Sequence, residues 1–242
     1  MVTLPSLREM LNAGVHFGHK TSRWHPKMKP YIFMSKNGVS VINLEKSEEE
    51  LKRATEFLAK SVSEGKVVVF VGSKKQASSI IKKAAINCGM PYVNFRWIGG
   101  TLTNFDTIKV AIKNFIDQKA LLESEAGAKL SKKVLAKLRE EVERGEKNFG
   151  GLISLEKRPD ILILLGSHDE KNALKEARVL SVPVVAVVDT NEDPTLIEYP
   201  IPANDDATKS IELFANVFSS VIKENKGLAK AKMDNEVNEP RK

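Results

Sequence analysis

The chain has 242 residues, 42% of them hydrophobic, and a single cysteine, Cys88, which excludes an internal disulfide and points to a reducing compartment. No apolar run nears the ~20 residues that span a bilayer, and the first residues, with Arg8 and Glu9, read as no secretory signal, so a cytoplasmic protein without membrane partners is expected. The net charge of +7 is uneven: residues 1–159 hold 28 Lys and Arg against 16 Asp and Glu, residues 160–222 hold 4 against 11, and residues 223–242 hold 6 against 4, so a polyanion would be gripped by the first two thirds.

Ser6 and Glu9 form a capping box that opens a short helix, which Gly14 can close. Residues 10–44 then run without one Asp or Glu, where about four or five are expected from even sampling. This stretch holds Lys20, Arg23, Lys27, Lys29 and Lys36. It also holds His16, His19 and His25, with Phe17, Trp24, Tyr31 and Phe33 between them. Cations beside flat rings, with no carboxylate to repel phosphate, suit a polyanion-binding surface; an ordinary loop in a basic protein is the plain alternative. Pro26 and Pro30 argue against regular structure before Tyr31, and Asn37-Gly38 between two apolar runs predicts a hairpin over 31–42.

Ser47 and Glu50 form a second capping box, which opens a helix ending near Gly65. From there the chain alternates. The β-branched run 67–71 predicts a strand buried on both faces, followed by a helix over 75–87 and a strand over 92–95. After a break the pattern returns: strand 161–165, helix 170–180, strand 184–188, an edge strand near 199–201 and a helix over 206–222. Such alternation means an α/β fold with a parallel sheet covered by helices on both faces.

The break, 104–147, reads as two long helices meeting near Ala126-Gly127. Their apolar stripes are narrow, which predicts an antiparallel helical hairpin that props the sheet or reaches a partner. The expected organisation is a basic N-terminal segment with a hairpin (1–46), an α/β domain (47–103 and 148–222), the inserted helical hairpin (104–147) and a flexible tail (223–242).

In an open parallel sheet, binding groups collect outside the carboxyl ends of the strands. At the first such end, Gly72, Ser73, Lys74 and Lys75 suit a phosphate on free N–H groups, but the second glycine of a Walker loop is missing and no GxGxxG occurs. Arg96 and Trp97 precede Gly99-Gly100; Arg96 beside a ring can hold a phosphate or stack on a base, and Trp97 can equally plug the core. Catalysis has little support: there is no GxSxG elbow, and Cys88 has no assignable base. His16 and His19, or Asp189, Asp193, Asp205 and Asp206, are weak metal candidates; packing histidines and helix-capping aspartates are the commoner roles. A small-molecule enzyme using the strand-end cleft remains the rival class, because one fold hosts many functions.

Several long strings carry a resemblance. Residues 7–18 (LREMLNAGVHFG), 23–32 (RWHPKMKPYI), 37–46 (NGVSVINLEK), 70–77 (FVGSKKQA), 92–108 (YVNFRWIGGTLTNFDTI), 176–193 (EARVLSVPVVAVVDTNED) and 199–206 (YPIPANDD) resemble the bacterial small-subunit ribosomal protein S-two family, in the family's order. The resemblance implies a flavodoxin-like α/β/α domain with an inserted coiled-coil hairpin. It implies a non-catalytic protein without cofactor or small-molecule substrate, bound to small-subunit ribosomal RNA between head and body on the solvent side. It also implies contacts with neighbouring small-subunit proteins and a role in docking the mRNA-binding ribosomal protein S-one. The matched strings make Lys20, Arg23, Trp24, His25, Lys27, Lys29, Tyr31, Lys36, Lys74, Lys75, Arg96 and Trp97 the candidate RNA-binding residues. Two departures stand out. Gly166, Ser167, His168, Asp169 and Glu170 replace the family's aspartate and basic residues after the strand at 161–165, and Ser181 replaces a usual glycine.

Overall fold

The computed structural model describes residues 3–238, with side chains described as far as Lys226 except for Ala128. Five parallel strands form the central sheet: β4 (Val68–Val71), β5 (Tyr92–Val93), β6 (Ile161–Leu165), β7 (Val184–Val188) and β8 (Tyr199–Pro202). Their spatial order is β5-β4-β6-β7-β8, the doubly wound flavodoxin-like order with its switch point between β4 and β6. Apolar residues alternate between the two faces. Val68, Phe70, Ile161, Ile163, Val185 and Val187 join one core, and Val69, Val71, Leu162, Leu164, Val184 and Ala186 join the other. Three helices cover the first face: α2 (Leu44–Ser63), α3 (Lys75–Cys88) and α8 (Thr208–Asn238). The second is covered by the start of α4 (Phe105–Glu123) and by α7 (Lys171–Val179).

Before the sheet stand α1 (Leu7–Asn12) and an antiparallel three-stranded sheet of order β1-β3-β2. The Ser6–Glu9 capping box forms as its residues require. So does the hairpin between β2 (Ile32–Lys36) and β3 (Val39–Ile42), with Asn37 and Gly38 both at positive φ, as a tight primed turn needs. The third strand, β1 (Phe17–Lys20), lies where no regular structure is expected; its FGHK sequence has little strand preference, and pairing with β3 creates it.

The inserted hairpin is rooted in the domain. Phe105, Ile108 and Ile112 of α4 belong to the second core, and only the outer turns leave it. Beyond them α4 runs antiparallel to α6 (Lys132–Phe149), with the short α5 (Glu125–Ala128) at the tip. Gln118 bonds Glu141 at 3.1 Å and Lys119 bonds Glu146 at 2.9 Å. Gly145 is buried at the contact: a Cβ there would lie 2.3 Å from the Phe115 ring, so glycine lets the two helices close on each other.

Three local expectations give way. Helix α2 starts at Leu44, not at Ser47, because Asn43 is its cap and accepts from the Glu45 N–H. Ser47 lies inside the helix, where its hydroxyl donates to the carbonyl of Pro202 at 2.6 Å and ties α2 to β8. Neither Asp205 nor Asp206 caps α8; the Asn204 side chain takes the free N–H groups of Asp206 and Ala207. Helix α8 also continues past Ile222 to Asn238, over much of the expected tail, and 239–242 lie outside the described residues.

Ser181 sits at φ 54° between α7 and β7. A side chain in the left-handed region costs about 1–2 kcal/mol, part of which glycine would return as unfolded-state entropy. Ser181→Gly should therefore raise stability by about 0.5–1 kcal/mol, an increase of roughly 1–4 °C in Tm by thermal unfolding. An unchanged or lower Tm would show that the hydroxyl or its neighbours relieve that cost.

Candidate nucleic-acid interface

The acid-free segment is fastened across the carboxyl ends of β7 and β8. Val15 and Asn204 bond through their backbones at 3.0 Å, and the Asn204 amide donates to the Gly14 carbonyl. Thr190, fully buried, accepts the His19 N–H on its hydroxyl at 2.8 Å and the His25 N–H on its carbonyl at 2.7 Å. Gly18 makes this approach possible: a Cβ there would sit 2.5 Å from the Thr190 methyl and 2.9 Å from the Ser40 carbonyl. Farther along, Met28 drops fully buried into the second core while Lys27 and Lys29 on either side stay exposed.

This anchoring sorts the cations. Lys20, Arg23, Lys29 and Lys36 are exposed and make no ion pair among the described residues. Lys20 and Lys36 both register with Val39, so they flank β3 on one face, about 10 Å apart by strand spacing. Trp24 leaves 37% of its surface to solvent beside Arg23, and His25 and Tyr31 are half-buried. Lys27 is partly spent: it pairs with Asp193 at 2.7 Å and bonds Thr195 at 2.9 Å. Burial alone would raise Asp193, but the bonds from Lys27 and Thr195 outweigh it and hold the carboxyl at about 2.

Two candidates are not available to RNA as they stand. Lys74 turns inward to Asp206 at 2.6 Å and Asp205 at 3.0 Å. Burial works against its charge, yet these carboxylates raise its pKa overall. Trp97 is buried, with its indole N–H on Glu176 at 3.0 Å, so its ring has no free face for a base. The exposed ring beside Arg96 is Phe95, 54% open to solvent; its contiguity with Arg96 is the only signal of it in the sequence. Glu176 also receives the N–H groups of Gly100, Leu102 and Thr103, and so shapes the whole loop that carries Arg96. Burial pushes Glu176 up, and these hydrogen bonds more than reverse it, leaving the pKa low. Arg96 and Lys75 are exposed at the ends of β5 and β4, on the same edge of the sheet as the N-terminal segment.

The rival chemistries find their groups engaged. In the Gly72 loop the Ser73 N–H, a natural phosphate donor, is taken by the buried Glu170 carboxylate at 2.5 Å. Cys88 is buried with its thiol on the Ala85 carbonyl, and burial pushes its pKa up, away from a reactive thiolate. His19 lies 2.9 Å from Asp189 and 3.4 Å from Asp206; the bond to Asp189 raises its pKa. Lys74 supplies the cation of that cluster, and no group of three His, Cys, Asp or Glu side chains among the described residues is arranged to hold a metal ion. His16 packs against Phe17 with the rings tilted by 38°, and burial lowers its pKa. No helix among the described residues is long and apolar enough to cross a membrane.

The sequence matches the family model of ribosomal protein S2 over residues 10–225. It is 46% identical over 225 residues to small ribosomal subunit protein uS2 of Petrotoga mobilis, covering 93% of this chain and 78% of that protein. The uS2 protein of Dictyoglomus thermophilum is 46% identical over 228 residues, covering 94% and 93% of the two chains. That of Koribacter versatilis is 43% identical over 228 residues, covering 94% and 76%.

One carboxyl at this edge titrates in an unusual range. Burial, then the charges of Asp205 and Asp189, push Glu192 up to about 8. An acid whose folded pKa is raised stabilises fully below its unfolded value and loses that contribution as pH rises through the folded one. The Tm difference between Glu192→Gln and the parent should therefore grow in the variant's favour from about pH 6 to about pH 9. A difference that stays constant with pH would mean that Glu192 is already ionised in the folded protein below about pH 6.

Proposed function

This chain belongs to the ribosomal protein S2 family, and from that membership we propose that it is an architectural, non-catalytic constituent of the small ribosomal subunit that grips ribosomal RNA. The observation that carries the RNA reading is the row of exposed, unpaired cations on an acid-free segment fixed across the strand ends. Lys20, Arg23, Lys29 and Lys36 give phosphate contacts, Lys27 adds one when it leaves Asp193, and Trp24 offers an open ring. Lys75, Arg96 and Phe95 extend the same edge. Binding sums many modest contacts, so a fixed surface matters more than any one residue.

Protein partners have an adjoining surface. On the three-stranded sheet, Phe17, Phe33 and Met34 are about half to two-thirds exposed and line a groove with Leu11 and Val41, with Lys36 at its border with the cation row. This groove suits a protein neighbour better than a nucleic acid, and it is where ribosomal protein S-one would dock. The helical hairpin is a second arm for neighbouring small-subunit proteins. As a member of this family it would act in the cytoplasm, and the site we propose for it is the solvent side of the subunit, between head and body.

Replacing Arg23 and Lys29 together by Glu should weaken binding to small-subunit RNA at least about tenfold, and flatten the log–log salt dependence by about two. Reconstitution of small subunits at graded salt measures both. Normal incorporation with an unchanged salt slope would remove the segment from the RNA surface.

A further inference from the structure

Outside the interface just described, a cavity of about 330 Å³ opens between α7 and the loops after β6 and β7. Its walls are aliphatic, from Leu174, Leu196 and Ile197. Its polar groups are unusual. The Oδ1 atom of Asn191 and the Oε1 atom of Glu192 are buried and accept no hydrogen bond; the nearest cation to Glu192 Oε1 is the half-exposed His168 ring, with Nδ1 at 3.5 Å, and the Glu192 side chain is only 8% exposed. Glu192 Oε2 meets the Ser167 hydroxyl, which fixes the carboxyl in place. Two orphaned acceptors in an apolar pocket cost free energy unless a ligand supplies N–H groups. The rim carries the opposite chemistry. Lys171, Lys175 and Arg178, spaced four and three residues apart, share one face of α7, are exposed, and make no ion pair among the described residues. Ser167 and His168, from the loop after β6, close the base of the cavity.

A flat amine-bearing ring with an anionic tail meets all of these demands at once. We propose that the cavity binds one unpaired nucleotide, its base between the aliphatic walls with an exocyclic amino group on Asn191 and Glu192, and its phosphate on Lys171, Lys175 and Arg178. Adenine, cytosine and guanine carry such an amino group and uracil does not, so the floor selects against uracil. The nucleotide chemistry stands on the cavity alone; only its source in an RNA strand rests on the RNA-binding reading above.

The test is amide NMR on the full chain, with AMP, CMP, GMP, UMP and a short unstructured oligoadenylate as probes. AMP, CMP or GMP should shift the Asn191 side-chain amide and the resonances of Leu174 and Ile197, with UMP at least about fivefold weaker for the missing hydrogen bond. Lys171→Glu with Lys175→Glu, both on the surface, should weaken AMP about tenfold. Oligoadenylate acting at lower concentration than AMP assigns an RNA strand as the source; AMP acting as well or better assigns a free nucleotide. Arg23→Glu with Lys29→Glu should leave the AMP shifts intact, so failure of the N-terminal surface is not mistaken for failure of the cavity. No shift at Asn191 with any probe, shifts confined to the lysines, or equal binding of UMP would overturn the proposal.

Discussion

The close approach of β1 to the end of β7 at Thr190 governs the rest of the functional edge. Thr190 takes one backbone N–H from His19 and another from His25, and Asp189 beside it takes the Thr190 N–H at 2.5 Å and the His19 ring at 2.9 Å. Each such bond contributes only about 1 kcal/mol net, but leaving any of these buried groups unpaired costs more. With β1 held, β3 and β2 are placed by register, and with them Lys20 and Lys36. Met28 adds a buried anchor between Lys27 and Lys29. A segment that would otherwise be a flexible basic tail becomes a fixed array, so that binding a polyanion would cost side-chain entropy but little backbone entropy.

The acidic third of the chain serves the same end. Asp189, Asp193, Asp205 and Asp206 sit at the strand ends, and their partners are His19, Lys27 and Lys74. They neutralise the inner cations and tie the segment down, while the outer cations keep their full charge for a phosphate backbone. The uneven charge along the sequence is therefore not two separate surfaces. Much of the negative third is an internal counterweight folded beneath the positive one.

The sheet was legible because short continuous aliphatic runs buried on both faces have few other uses, and the strands β6 and β7 stand where ILILL and VVAVV predict them. The hairpin turn was legible from Asn37-Gly38, and the family from long matched strings. What sequence alone misread were choices settled by tertiary contact. Lys74 reads as a free lysine until Asp205 and Asp206 arrive from 131 and 132 residues away. Trp97 reads as a stacking ring until Glu176 takes its N–H. Strand β1 has no period of its own and exists only through its pairing with β3. The cavity beneath α7 was invisible because its parts come from three separate stretches of chain.

The central claim is that RNA affinity depends on the segment being held, not merely on its charge. Gly18→Val changes no charge and drives a side chain into Thr190 and Ser40. Hydrogen exchange on this variant, read together with its affinity for small-subunit RNA, separates the two ideas. Loss of amide protection over 16–42, a protected five-stranded sheet and clearly weaker RNA binding is the predicted result. Loss of protection over 16–42 with unchanged affinity would contradict the account, because a loose basic segment would then bind as well as a fixed one.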